Sequence, residues 1–177
     1  MTTTMIITGF GGQGILFAGK ILAYAALQKG KRLSWLPSYG PEMRGGAANC
    51  HVIISDEPVG SPIIINPDIL VTMNKPSFDK FEGDIIPGGT AIIDKSLIDR
   101  ETTRKDIQAV YVDATNIADA NGKGKLANMV MLGALIKKTG IFTMEELRRG
   151  AEKSIPESKK DLLEMNMDMI RRGYDAV

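Results

Sequence analysis

The segment Met5-Ile-Ile-Thr-Gly-Phe-Gly-Gly-Gln-Gly14, followed at once by the apolar run Ile15 to Leu27, constrains the fold more than any other part of the chain. Met5 to Thr8 reads as a short buried strand. Gly9, Gly11 and Gly14 then fall in G-x-G-x-x-G spacing, and a helix begins where they end. A strand, a glycine turn and a helix N-terminus together form the context of a dinucleotide fingerprint. The turn is tight, the backbone can approach a phosphate closely, and free N–H groups point outward.

The fingerprint lacks its second half. A nicotinamide site wants an acidic residue about 20 positions on, at the end of the second strand, to hold the ribose hydroxyls. That strand reads Lys31-Arg-Leu-Ser-Trp-Leu36, and no Asp or Glu occurs between Gly14 and Glu42. Lys31 and Arg32 stand at the start of the strand, the wrong end for a 2′-phosphate. The glycines therefore have three readings: a dinucleotide site, a tight turn that packs helix on sheet, or a contact with another phosphate-bearing ligand or a partner chain.

A length of 177 residues suits one domain with a full core. The net charge of +1 gives no electrostatic case for nucleic acid. The first helix is apolar for only about 13 residues, too short to span a bilayer. No basic segment precedes it, so no signal peptide is expected and the chain is read as cytoplasmic. The one cysteine, Cys50, and the one histidine, His51, rule out much chemistry. A single cysteine cannot hold an iron–sulfur cluster or close an internal disulfide. Neighbours on a strand point to opposite faces, which also argues against a Cys–His catalytic pair.

Further along, Asn49 to Ser55 reads as a strand and Ile63 to Ile65 as a further short one, with Pro37 ending the second strand. Asp68 to Met73 reads as a buried parallel strand. Asn74 caps a short helix to about Glu82, with Pro76 in its first turn. Thr90 to Ile93 and Gln108 to Val112 are strands ending at Asp94 and Asp113, residues read as turn or helix caps. Leu126 to Lys138 is a buried helix closed by Gly140. Thr143-Met-Glu-Glu146 is a capping box, with Phe142 and Leu147 as its staple. The last helix starts near Ser158. It carries the stripe Leu163, Met167, Ile170 and Tyr174, widened by Leu162, Met165 and Met169, and read as core. The fold class expected is α/β: a Rossmann-like, doubly wound, mostly parallel sheet, with Asn49–Ser55 as an antiparallel insertion and a helical C-terminus.

In such sheets ligands bind outside the carboxyl ends of the strands. Gly9–Gly14, Ser38–Gly46, Asn74–Ser77, Asp94 and Asp113-Ala-Thr all fall there. Ser38–Gly46 is the most distinctive segment, holding Tyr39, Glu42 and Arg44 among glycines and a proline. Arginine suits a phosphate or a partner's carboxylate. The plainer alternative is a surface loop whose Glu42 and Arg44 pair with each other. No paired carboxylates, activated serine or metal cluster can be read, so no catalytic or metal-ligating residue is assigned. The site candidates are Gly9, Gly11, Gly12, Gln13, Gly14, Tyr39 and Arg44.

Thr8-Gly-Phe-Gly-Gly-Gln-Gly-Ile15, then Pro37-Ser-Tyr-Gly-Pro-Glu-Met-Arg-Gly-Gly-Ala47 and Asn49-Cys-His-Val-Ile-Ile-Ser55, together resemble the gamma subunit of 2-oxoacid:ferredoxin oxidoreductases. Leu70-Val-Thr-Met-Asn-Lys-Pro76 and Asn128-Met-Val-Met-Leu-Gly-Ala134 are similar to that family too. The Ser-Tyr-Gly-Pro-Glu-Met-Arg string resembles 2-oxoglutarate and branched-chain members more than pyruvate members. The resemblance implies a subunit of an enzyme that oxidatively decarboxylates a 2-oxoacid, 2-oxoglutarate being the first expectation, to an acyl-CoA while reducing ferredoxin. It implies that thiamine diphosphate and the iron–sulfur clusters sit on other subunits. This chain would be a structural and coenzyme A-proximal subunit, inactive alone. Its partners would be alpha and beta subunits, in some complexes a delta subunit, and ferredoxin through the complex. A homodimer of the isolated chain stays open, and neither nucleic acid nor a membrane is expected as a partner. The alternative is a free-standing, nucleotide-binding Rossmann-type oxidoreductase using Gly9–Gly14.

Overall fold

The computed structural model describes residues 1–38 and 47–177. Six strands form one mixed sheet: β1 (Thr2–Phe10), β2 (Arg32–Ser38), β3 (Ala47–Ser55), β4 (Ile69–Thr72), β5 (Thr90–Asp94) and β6 (Gln108–Val112). Their spatial order is β2-β3-β1-β4-β5-β6. β1, β4, β5 and β6 run parallel, and β3 runs antiparallel to both β1 and β2. The expected antiparallel insertion is thus present, and it sits between the first two strands.

Six α-helices, α1 (Ile15–Gln28), α2 (Lys75–Phe81), α3 (Ala114–Ala120), α4 (Ala127–Thr139), α5 (Met144–Ser154) and α6 (Asp161–Asp175), and three short 3-10 helices complete the described structure. Alternation along β1 divides the core. Met5 and Ile7 join the larger apolar cluster with residues of α1, α4, α5 and α6, while Ile6 joins a smaller one with Phe78 and Phe81 of α2. α4 and α6 cross closely where Gly133 meets Gly173. A Cβ on either would run into backbone of the other helix, Ile170 O in one case and Val130 O in the other. This crossing buries Met167, Met169 and Ile170, so the methionine stripe is core, although Leu162 stays 40% exposed. The Thr143–Glu146 capping box forms as expected. No helix among the described residues is long and apolar enough to cross a membrane.

Three local expectations are corrected. Pro37 does not stop β2, because β2 is an edge strand and an edge tolerates a missing N–H. Residues 63–65 form no strand: Ile64 alone is buried there, and its N–H goes to a side chain, His51 Nδ1, at 3.0 Å. β1 runs on through Gly9 to Phe10, because those residues pair with Ala48 and Ala47.

Candidate functional site at the carboxyl end of the sheet

The site begins where β1 ends. Gly9 lies so close to its neighbours that a Cβ there would crowd Ile15 Cδ1 at 2.8 Å and Met73 Cβ at 3.2 Å. The chain then turns through Gly11 and Gly12, and Gln13 N–H returns to Phe10 O at 3.2 Å. Gly14 caps α1 in the left-handed region, φ 72°. The first turn of α1 holds no acidic residue, and no side chain among the described residues caps it. Its N–H groups therefore remain available to an anion or an acceptor.

Two carboxamides fasten this loop. Gln13 Oε1 accepts the N–H of Phe10 at 2.6 Å, and its Nε2 donates to Met73 O at 3.2 Å, tying the loop to the end of β4. Asn128, buried in the first turn of α4, donates from Nδ2 to Gly14 O at 3.0 Å. Two helix N-termini thus meet at one point. Asn128 carries no assignment in the sequence reading. Its signal was a lone carboxamide at the head of an apolar helix. The bond to Met73 is made by a main-chain oxygen, which no residue type announces.

The remaining candidates divide. Asn74 caps α2 as expected, its Oδ1 accepting Ser77 N–H at 2.8 Å. Asp94 is fully buried and satisfied by Ser96 N–H, Thr115 N–H and Thr115 Oγ1. Asp113 accepts from Ser96 Oγ and Asn116 Nδ2. Asp94 thus receives an N–H from the first turn of α3, while Asp113, at the N-cap position, makes no side-chain capping bond. Tyr39 and Arg44 lie outside the described residues. Ser38 and Ala47, which bracket their segment, pair with Asn49 and Phe10, so the chain leaves and re-enters the sheet beside the glycine turn.

Cys50 and His51 point to opposite faces. Cys50 is buried under α1, its thiol donating to Ile15 O at 3.7 Å, and burial pushes its pKa up to about 12, against a smaller opposing effect of Trp35. Burial likewise lowers the pKa of His51. Neither suits nucleophilic chemistry. Among the described residues no three His, Cys, Asp or Glu side chains gather as a metal site would require. A cleft of about 530 Å3 lies at the opposite, amino end of the strands, lined by Lys29, Lys31, Asp56, Asp68, Lys138 and Phe142 among others. Two of those lysines are already paired, Lys29 with Glu146 and Lys31 with Asp56. We place the candidate site at the carboxyl end, where the N-termini of α1 and α4 meet.

The sheet order also explains the missing acidic residue. In a dinucleotide fold the second strand lies beside the first and brings its acidic end to the ribose. Here β3 occupies that place, running the other way, and meets the glycine turn with Ala47, Ala48 and Asn49.

Residues 4–176 match the family described as pyruvate ferredoxin/flavodoxin oxidoreductase. The chain belongs to this family. Members similar to it include the ketoisovalerate oxidoreductase subunit VorA of Methanothermobacter marburgensis, 40% identical over 169 residues that cover 96% of this chain and 35% of that one. The 2-oxoglutarate synthase subunit KorC of Methanocaldococcus jannaschii is 39% identical over 173 residues, covering 96% and 91%. The crystal structure of the gamma subunit of a keto/oxoacid ferredoxin oxidoreductase from Geobacter sulfurreducens PCA superposes with a TM-score of 0.86 at 31% identity, covering 99% and 96%. The chain spans about a third of the VorA relative and nearly the whole of the KorC relative.

Proposed function

We propose that this chain is the gamma subunit of a cytoplasmic 2-oxoacid:ferredoxin oxidoreductase, a single domain over residues 1–177 that works only within a complex. The observation that carries this reading is the match to a family of oxidoreductases over residues 4–176, joined to a likeness to KorC along nearly the full length of both chains. The substrate proposed is 2-oxoglutarate, oxidatively decarboxylated to an acyl-CoA with reduction of ferredoxin. The KorC relative, 39% identical over 173 residues, supports that choice.

The residues present bear on how the work is shared. Iron–sulfur clusters belong on alpha, beta or delta partners, because Cys50 is the one cysteine and lies buried; thiamine diphosphate is proposed there too, as the family resemblance implies. Coenzyme A fits better. Gly9, Gly11, Gly12, Gln13 and Gly14 form the turn that leads into the N-terminus of α1, which no side chain among the described residues caps, the setting in which phosphate binds. Tyr39 and Arg44, on the segment entering beside Phe10, would complete the contact to its phosphates or to the neighbouring subunit. When bound, coenzyme A supplies the thiol that accepts the acyl group. The part of this chain is to hold and orient, with its backbone fixed in advance by Gln13 and Asn128.

The test is purification of the native complex through this chain, followed by assay of ferredoxin reduction with a panel of 2-oxoacids. The result expected is copurifying subunits and activity that depends on 2-oxoglutarate and coenzyme A. Turnover by the isolated chain with a nicotinamide cofactor would instead support the free-standing alternative, which the position of β3 disfavours.

A further inference from the structure

His51 is the one histidine of the chain and takes no part in the site at the carboxyl end. It stands half-buried at the middle of β3, with Leu36 of β2 and Ile6 of β1 as its partners across the ladder. Its Nδ1 accepts the main-chain N–H of Ile64 at 3.0 Å. Ile64 belongs to the connection Pro58 to Pro67 between β3 and β4. Its side chain is buried in the smaller core cluster with Ile6, Ile53, Leu70 and Phe78.

This bond sets the protonation state of the ring. A ring nitrogen that accepts an N–H carries a lone pair, so His51 is neutral and its proton sits on Nε2. Imidazolium carries a proton on both nitrogens. Protonation therefore sets the Nδ1 proton against the Ile64 proton. It orphans a buried main-chain donor and puts a charge among Ile6, Ile53 and Ile64.

Charged and titratable groups on the surrounding elements are engaged elsewhere. On β2, Arg32 shares the face but lies opposite Ser55, about 13 Å along the strand. Beside β1, Asp68 accepts from Thr4 N–H and Oγ1. On α2 and the turn after it, Lys75 pairs with Asp99, and Asp79 and Glu82 pair with Arg100. Lys80 lies over the Phe81 ring, and Asp84 is exposed. Tyr111 of β6 accepts Thr102 N–H at its hydroxyl oxygen. Beyond the end of β3, Asp56 pairs with Lys31 and Glu57 is exposed. Pro58 to Pro67 itself holds no charged residue. Among the described residues no carboxylate is bonded to the ring, and burial holds its pKa below 6.5.

The other anchors of the connection do not titrate. Asn66 Nδ2 donates to Asp84 O at 3.1 Å, and Pro67 O accepts Ile86 N–H at 3.1 Å, both at the end nearer β4. Ile63 N–H turns back to Ser61 Oγ at 3.3 Å, within the connection. Among the described residues, the bond to His51 is what ties its middle to the sheet.

We propose that His51 and Ile64 form an acid-sensitive latch, in which protonation of the ring releases residues 58–65 from the sheet while Asn66 and Pro67 stay anchored. The latch is closed at neutral pH. The unfolded chain takes up this proton near pH 6.5, roughly, and the folded chain at a lower pH. The stability that the latch contributes is therefore complete above the unfolded value and is lost as pH falls through the folded one.

The experiment is nuclear magnetic resonance on the full-length wild-type chain, from about pH 8 to about pH 5. Ring nitrogen shifts of His51 report its tautomer and its titration. Hydrogen exchange, corrected for the intrinsic rate at each pH, reports protection of the Ile64 amide. The result expected is a neutral ring protonated on Nε2 near the upper limit and a titration midpoint below 6.5. Ile64 protection is expected to fall about tenfold or more with that same midpoint, while the Ile86 amide keeps its protection. His51→Gln supplies an acceptor oxygen that does not titrate, and is expected to hold Ile64 protection level across the range. A proton on Nδ1 at neutral pH, or Ile64 protection that ignores the His51 midpoint, would overturn the latch. So would an equal fall in His51→Gln, or a fall that spreads to Ile86 at the same pH. The wild-type readings decide the matter alone if the variant does not fold.

Discussion

Asn128 Nδ2 donates to Gly14 O at 3.0 Å and fastens the start of α4 to the start of α1, across 114 positions of sequence. The same amide fills the space that a Cβ at Gly14 would need. Gly14 O also accepts Ala18 N–H at 3.0 Å, so removing Asn128 orphans no carbonyl. Asn128→Ala is expected to cost about 1 kcal/mol, the net worth of one hydrogen bond. Gly14→Ala adds left-handed strain to the clash and is expected to cost about 2–3 kcal/mol. In a double-mutant cycle followed by urea unfolding, Gly14→Ala is expected to cost less in the Asn128→Ala background, because the clash is gone and only the strain remains. Strict additivity would show that the two residues do not touch.

The α4–α6 crossing gives a second prediction. Because backbone atoms occupy the Cβ positions of Gly133 and Gly173, no side-chain movement can relieve a methyl group there. Gly133→Ala or Gly173→Ala is expected to destabilise by about 3 kcal/mol, the upper range for an overpacked core. In a chain of this size that lowers Tm by roughly 10 °C. A scanning calorimeter that finds either variant within 2 °C, roughly, of wild type would contradict the close approach.

Much of this was legible beforehand. Periodicity and capping residues placed five of the six α-helices, α3 (Ala114–Ala120) being missed, and strand alternation separated Cys50 from His51. The order of β2 and β3 was not legible, because pairing across the sheet depends on long-range packing while the local pattern of both strands is simply extended. Residues 63–65 misled for a related reason: three β-branched residues in a row read as a strand, but three prolines nearby and no partner strand leave them as a pinned connection. Asn128 stayed hidden inside an apolar helix because its partner is a main-chain oxygen far away in sequence.

A third prediction concerns acid. Glu82 is nearly buried, which by itself would raise its pKa, but hydrogen bonds from Arg100 and Thr102 outweigh burial and hold it below the usual value of 4.5. A folded-state pKa below the unfolded one means the stabilisation is complete above about pH 4.5 and is lost as pH falls through the lower folded value. Glu82→Gln is therefore expected to be less stable than wild type at pH 7, and the gap is expected to close below pH 4, roughly. Unfolding curves across that range check it; a gap that stays constant with pH would show that Glu82 acts through shape and not charge.

A fourth prediction addresses the segment beside the glycine turn. Arg44→Ala is expected to leave the isolated chain as stable as wild type. In the assembled enzyme it is expected to cost about 2 kcal/mol or more, near thirtyfold in binding. A raised KM for coenzyme A with assembly intact would place Arg44 on coenzyme A phosphates. Salt-sensitive dissociation would place it on a partner subunit. Arg44→Lys restores a point charge but not a two-pronged contact, and is expected to recover only part of the loss.

The central claim is that this chain works as one subunit of a 2-oxoacid:ferredoxin oxidoreductase. The most direct measurement is reduction of ferredoxin by the native complex and by the isolated chain, side by side, with 2-oxoglutarate and coenzyme A. The account predicts turnover by the complex that requires both compounds, and none by the isolated chain under any condition. Turnover by the isolated chain, or a native complex purified through it that oxidises no 2-oxoacid, would contradict it.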